Sequence, residues 1–286
     1  MRAAARRPAG RRFLKALRIR LPHVPLLLLS VFFFMPFLWM VSTSLKSITE
    51  VFSLPPHLIP RVFEWQNYKL AFERAPFLIY TRNTLFYSVA VVIGFLFSSP
   101  LVAYSVSKIE WRGGRILFPV ILSTLLLPYP VTMIPLFMVF QKLHWVGGFA
   151  PLIIPAFTGS AFYIFLMRQF FLTVPGSLLD AARIDGASEI RIYRSIMLPL
   201  CTPALTSVGI FAFLAAWSDF LGPLVYLTKQ LNYTLSLGLH AFMASHTVEW
   251  HYLMAISALF TVPIVVIFFV AQRYFIEGIA TTGMKV

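Results

Sequence analysis

The chain has 286 residues, of which 59% are hydrophobic and only 12% charged, and its mean hydropathy is +0.80. That balance excludes an ordinary water-soluble globular domain, in which about a quarter of residues are charged. The formal net charge of +14 does not point to nucleic acid, because the charge is concentrated in a tail ahead of an apolar span, where it acts as a positive-inside anchor and attracts anionic lipid.

Residues 1–23 form that basic tail, with Arg2, Arg6, Arg7, Arg11, Arg12, Lys15, Arg18 and Arg20 and no acid. Arg11-Arg12-Phe13-Leu14-Lys15 is similar to a twin-arginine signal but lacks the residue normally found between the arginines and Phe. The apolar stretch after it, Val24–Val41, is longer than a signal core and has no small-x-small end, so residues 24–45 read as a retained first helix. The segment 46–82 is a long outer loop with Pro55-Pro56, Pro60 and the aromatics Phe63, Trp65 and Tyr68. It suits contact with an external protein and an interfacial position equally.

A membrane-spanning helix needs about 20 apolar residues. The windows that qualify are Val24–Leu45, Thr84–Ser107, Ile116–Phe140, Phe149–Met167, Pro203–Leu227 and Tyr252–Gln272. Arg82-Asn83-Thr84 is expected to open the second. The third contains Pro119, Pro128, Pro130 and Pro135, which free carbonyls from the helix ladder. Either it is a kinked helix of packing value only, or a bent helix lining a cavity, as in transporters with broken spans. The fourth is the shortest and is expected to tilt or break near Pro155 and Gly159.

Between the fourth and fifth windows lies a polar segment, 175–199, in an otherwise apolar chain. It carries Asp180, Arg183, Asp185, Glu189, Arg191 and Arg194. Ser177 can cap a first helix with Asp180 as its capping-box partner. Gly186 can end that helix in the left-handed conformation, Ser188 can cap a second with Glu189 in its first turn, and Pro199 closes it. Ile190, Tyr193 and Met197 share one face, with Ile196 beside them. Helices this short do not stand alone in water and need a surface to dock on. That surface is either the chain's own membrane domain or a partner.

Asp219 is the one acid inside a predicted span, where a carboxylate costs on the order of 2.5–3.5 kcal/mol at the helix centre. It must face protein, water or a partner. Flanked by Trp217 and Phe220, it suits an aromatic-plus-polar contact with a sugar. A structural bond to a neighbouring helix or subunit explains it equally well. His240, His246 and His251 in the last outer loop are not at i, i+4 spacing, and Cys201 is the one cysteine, so neither a metal site nor an internal disulfide is expected. There is no G-x-x-x-x-G-K-[ST] stretch, so the chain is not expected to bind ATP itself. No Ser/His/Asp or paired-carboxylate arrangement stands out, and an enzyme is not expected.

Counting the six windows as spans puts 17 of the 24 lysines and arginines on the side of the basic tail and 7 on the other. By the positive-inside rule both termini, and the polar segment 175–199, are cytoplasmic.

The polar segment resembles the EAA loop of binding-protein-dependent ABC importer permeases, E-A-A-x-x-D-G-A followed by an aromatic, Ile and L-P. The matching residues are Asp180, Ala181, Ala182, Asp185, Gly186, Ala187, Tyr193, Ile196, Leu198 and Pro199. Asp180 stands where the family usually has Glu, and Tyr193 where it often has Phe. Trp217-Ser218-Asp219-Phe220 resembles the W-N-[DE]-F of sugar-importer permeases, Asn83-Thr84-Leu85 the start of the permease core, and the end from Gln272 to Lys285 the tail of the maltose-type, G-type subunit. The resemblance covers nearly the whole chain. It implies an all-α protein with six transmembrane helices, a permease core over 83–275 and a C-terminal tail over 276–286. It also implies a bacterial or archaeal cytoplasmic membrane, a second permease subunit, an extracytoplasmic solute-binding protein, and two ATPase subunits holding the ATP and Mg. Asp180, Asp185 and Glu189 would then make polar contacts with an ATPase, Gly186 the bend, and Ile190, Tyr193 and Met197 the apolar knobs. A gradient-driven transporter is the main rival, disfavoured because proton or sodium coupling usually leaves chains of buried acids or histidines.

Overall fold

The computed structural model describes residues 23–244 and 249–283, with side chains through 272. The basic tail, His246 and the C-terminal tail lie outside the residues whose side chains are described. All regular structure among the described residues is helical. The chain divides into two compact units, whose bounds are Met1–Ala71 with Glu249–Ala258 and Phe72–Val248 with Leu259–Val286.

In the first unit, α1 (His23–Ser44) is apolar all round and its large side chains are exposed along nearly its whole length, as a helix facing lipid requires. Its C-terminal serines are buried and anchor the outer loop. Ser44 Oγ lies 2.8 Å from Tyr68 Oη, and Asn67 Nδ2 donates to the carbonyls of Ser44 and Lys46, both at 2.9 Å. Ser47 caps a single turn, Ile48–Val51, and the Arg61 amide donates to Glu50 Oε1 at 2.8 Å. The outer loop is thus a hydrogen-bonded structure leading into α2 (Gln66–Arg74).

The second unit is built around α3 (Phe77–Lys108). This helix begins six residues before Asn83, so Asn83-Thr84 does not open it. Both side chains instead tie the helix to a distant segment. Asn83 Nδ2 donates to the carbonyls of Leu231 (2.8 Å) and Tyr233 (3.0 Å), and Thr84 Oγ1 accepts from the Leu235 amide (2.7 Å). Next come α4 (Gly114–Ser123), a 3₁₀ turn Thr124–Leu126, and α5 (Tyr129–Lys142). Gly114–Leu126 and Tyr129–Lys142 meet at 104°. The corner has a simple cause: Pro128 excludes the helical conformation at Leu127, which is extended (φ −84°, ψ 113°). The proline-rich window therefore makes a sharp corner instead of a gentle bend.

The fourth window breaks where its sequence says it should. Ala150–Ile153 is helical and Ile154–Thr158 is 3₁₀. Gly159 has φ +95°, and α6 (Ala161–Thr173) comes next. The 3₁₀ stretch lies tight on α3, where a Cβ on Gly94 would sit 2.8 Å from that of Ala156. Ser98 Oγ seals the contact by donating to the Ala156 carbonyl at 2.8 Å.

The polar segment forms α7 (Gly176–Ile184) and α8 (Glu189–Ile192). The chain then runs through a π-helical turn, Tyr193–Met197, and Leu198–Leu200 before turning by 78° at Cys201 into α9 (Thr202–Trp217). Pro199 lies in the last turn of this stretch, which ends one residue later at Leu200, next to where the sequence closes it. Cys201 is buried. The fifth window is interrupted at Ser218–Phe220 before α10 (Leu221–Tyr226), and α11 (Leu235–Met243) and α12 (Trp250–Gly283) complete the order. Four of the described helical stretches are long and apolar enough to cross a membrane, or up to six if each bent pair is one span. The main core of this unit joins α3, α6 and α9 through Tyr104, Met167, Phe171, Ala204 and Val208, and takes in Leu179, Ile192 and Met197 of the polar segment.

Candidate functional site

Gly186 has φ +80°. Its amide donates to the Arg183 carbonyl (3.0 Å) and the Ala187 amide to the Ala182 carbonyl (2.9 Å). These are the paired bonds of a Schellman stop, with Asp185 as the C-cap. Ser188 caps α8 by accepting from the Arg191 amide. Ser177 is not a cap: Pro175 holds that position and Ser177 lies inside α7. Asp180 correspondingly turns to Arg183 instead of back to the helix start.

Arg183, to which the sequence assigned no role, is the centre of the segment. Its Nη1 donates to Asp180 Oδ1 and its Nε to Glu189 Oε1, both at 2.8 Å. Glu189 Oε2 in turn accepts from the Tyr104 hydroxyl at 2.6 Å. One guanidinium thus clamps α7 to α8, and one carboxylate ties the pair to α3. The Arg183 bond, followed by that from Tyr104, holds the Glu189 carboxyl below its ordinary range, and Glu189 raises the Arg183 guanidinium. Glu189 is therefore occupied within the chain, whereas Asp185 is exposed.

The apolar side chains divide differently from the expected face. Met197 and Ile192 are fully buried, as is Leu179. Tyr193 packs against Tyr104 with the rings tilted and their centroids 5.3 Å apart. Ala182, Ala187 and Ile196 pack against the same core. Of the three expected knobs only Ile190 projects outward, 71% exposed, joined by Ile184 at 86%. The face of Ile190, Tyr193 and Met197 presumes 3.6 residues per turn, and the π turn from Tyr193 breaks that period. Ala181 and Pro199 are exposed on the surface. Ile184, an isolated apolar residue between Arg183 and Asp185, was the available signal for this exposed apolar position.

A second polar cluster lies at the break between α9 and α10. Asp219 is outside any helix and accepts from the Gly222 amide at 3.1 Å and from the Tyr87 hydroxyl at 2.8 Å. It lines an open cavity of about 740 Å³ together with Tyr87, Tyr129, Thr132, Ser160 and Tyr226. Trp217 and Phe220 do not line it. Trp217 is buried, stacked on Phe260 with centroids 5.5 Å apart, and its Nε1 donates to the Phe260 carbonyl at 3.1 Å. Phe220 packs against the His240 ring at 5.0 Å. Only Asp219 of the expected trio faces the cavity. Among the described residues, no group of three or more His, Cys, Asp or Glu could hold a metal ion.

A family model described as "Binding-protein-dependent transport system inner membrane component" matches residues 90–281. The arabinooligosaccharides transport system permease protein AraQ of Halalkalibacterium halodurans is 33% identical over 253 residues, which is 87% of this chain and 90% of that protein. The diacetylchitobiose uptake system permease protein NgcG of Streptomyces coelicolor is 31% identical, over 88% of this chain and 84% of its own. The sn-glycerol-3-phosphate transport system permease protein UgpE of Yersinia enterocolitica is 31% identical, over 81% and 85%. A crystal structure of a bacterial ABC transporter involved in the import of the acidic polysaccharide alginate matches with a TM-score of 0.80, covering 95% of this chain and 100% of that chain. At 24% identity that likeness speaks for the fold.

Proposed function

The chain belongs to the binding-protein-dependent transport system inner membrane component family, and from that premise we propose that it is the six-span permease subunit of an ATP-driven importer for a sugar, oligosaccharide, polyol or glycerol phosphate. It is a transporter subunit and not itself an enzyme. In this reading 175–199 is a cytoplasmic coupling loop, and both termini are cytoplasmic. A second permease subunit completes the pathway, two ATPase subunits bind ATP and Mg below it, and a solute-binding protein delivers from the other side. ATP-driven closure of the ATPase pair moves α7 and α8, and the membrane helices alternate between outward and inward access. Asp180, Asp185, Gly186, Ile184 and Ile190 face or shape the ATPase contact. Glu189, Tyr193, Ile196 and Met197 transmit its motion, because they are bonded to or packed on the membrane helices.

The observation that carries this reading is the two-sided character of the segment. Its inner side is tied to α3, α6 and α9 by Tyr104–Glu189 and by buried Leu179, Ile192 and Met197, while Ile184 and Ile190 stand exposed beside charged residues. In this reading the two exposed isoleucines supply the apolar part of the ATPase contact. The test is a tagged pull-down from detergent-solubilised membranes with ATPase activity assayed on the eluate. A second permease and an ATPase are expected to co-purify, and the ATPase to be lost from the Ile184→Asp, Ile190→Asp double variant while the subunit still inserts. Retention of full ATPase by that variant would refute the coupling contact.

A further inference from the structure

The cavity at the α9–α10 break carries information about the solute. Its polar lining is Asp219, three tyrosines, Thr132 and Ser160, and no lysine or arginine is among the described residues that line it. The volume of about 740 Å³ lies within the roughly 300–1,000 Å³ of small-molecule sites. Tyr87 is largely buried and presents its hydroxyl to Asp219 Oδ2 at 2.8 Å. The Tyr226 hydroxyl is buried beside Tyr129, so it backs the cavity wall and leaves Tyr129, which is exposed, to meet the solute. Phenolic groups can donate and accept, and their rings offer apolar faces; a carboxylate only accepts. Sugar hydroxyls and the C–H faces of a pyranose or furanose ring match this set. A phosphate or uronate does not: it would meet a carboxylate with no cation to offset it, and burying like charges together is strongly unfavourable.

We infer that this subunit itself forms a binding site for a neutral glycan, with Asp219, Tyr87 and Tyr129 accepting and donating to solute hydroxyls, and that anionic solutes are excluded from it. The inference rests on the importer reading and narrows its solute class. Tyr87 and the Gly222 amide hold the Asp219 carboxylate at the break, and the ring of Tyr226 packs edge-on to Phe140 with centroids 5.5 Å apart. The site is therefore held in shape by its own neighbours.

The experiment uses cells carrying the complete importer and measures uptake that depends on this chain. The neutral probes are radiolabelled arabinotriose, diacetylchitobiose and maltose; the anionic ones are sn-glycerol 3-phosphate and a mannuronate disaccharide. At least one neutral probe should accumulate and neither anionic one. Asp219→Asn and Tyr129→Phe should each lower uptake of the neutral probe about tenfold, as expected for losing one or two hydrogen bonds to the solute, with the complex recovered in normal amount by pull-down. Import of either anionic probe, or wild-type uptake by both variants, overturns the inference. So does an importer that assembles with its ATPase but accumulates no neutral probe. Absence of any associated ATPase would instead remove the importer reading beneath it.

Discussion

At the scale of single residues, the polar segment depends on Glu189. Its carboxylate serves Arg183 and Tyr104 at once, and those bonds lower its proton affinity in the folded chain. A depressed carboxyl stabilises the fold at pH above its ordinary value of 4.5. That contribution is lost as the pH falls through the lowered folded value. Because the pair is substantially solvent-exposed, its worth is about 1 kcal/mol or less. Melting curves of the purified complex should therefore show Glu189→Gln less stable than wild type between pH 6 and 8, with the gap closing as the pH falls below the ordinary carboxyl value. A gap independent of pH would mean that the carboxylate's charge is immaterial. The residues that make this site were unevenly legible. Gly186 and Ser188 announce themselves, since a left-handed stop and a capping hydroxyl are matters of local chemistry. Tyr104 does not, because it lies 85 residues from Glu189 and no local rule connects them.

At the scale of elements, α3 acts as the post on which distant segments are hung. Asn83 holds two main-chain carbonyls about 150 residues away, and Thr84 an amide. Asn83→Ala removes both donors and leaves two carbonyls short of partners, at about 1–3 kcal/mol. A lowered melting temperature of the detergent-purified complex is the expected result. An unchanged one would show that the 231–235 stretch is held by other contacts. The elements themselves were read well where a single physical demand governs them. Runs of about 20 apolar residues located every long helix, and Pro155 with Gly159 located the break in the fourth window. The reading failed where helical period was extrapolated. Past Tyr193 the π turn rotates Met197 to the inside, and at Ser218–Phe220 a supposed continuous helix parts to place Asp219 on a cavity wall. The π turn leaves no composition signal, whereas the break does, in Ser218-Asp219 and Gly222-Pro223, which interrupt the apolar run.

For the whole molecule, the asymmetry of 17 against 7 basic residues predicts its orientation. A fluorescent-protein fusion at the C-terminus should glow, and an alkaline phosphatase fusion there should be inactive; the opposite pattern would invert the topology and place the α7–α8 surface beyond the reach of a cytosolic ATPase. The chain also supplies its own means of watching that surface work. Its single cysteine is sealed at the bend into α9, so thiol chemistry begins from a dark background. A cysteine introduced at Ile184 or Ile190 would be the only one open to a maleimide dye, and its fluorescence would report when the loop is covered, released or turned during each round of nucleotide hydrolysis.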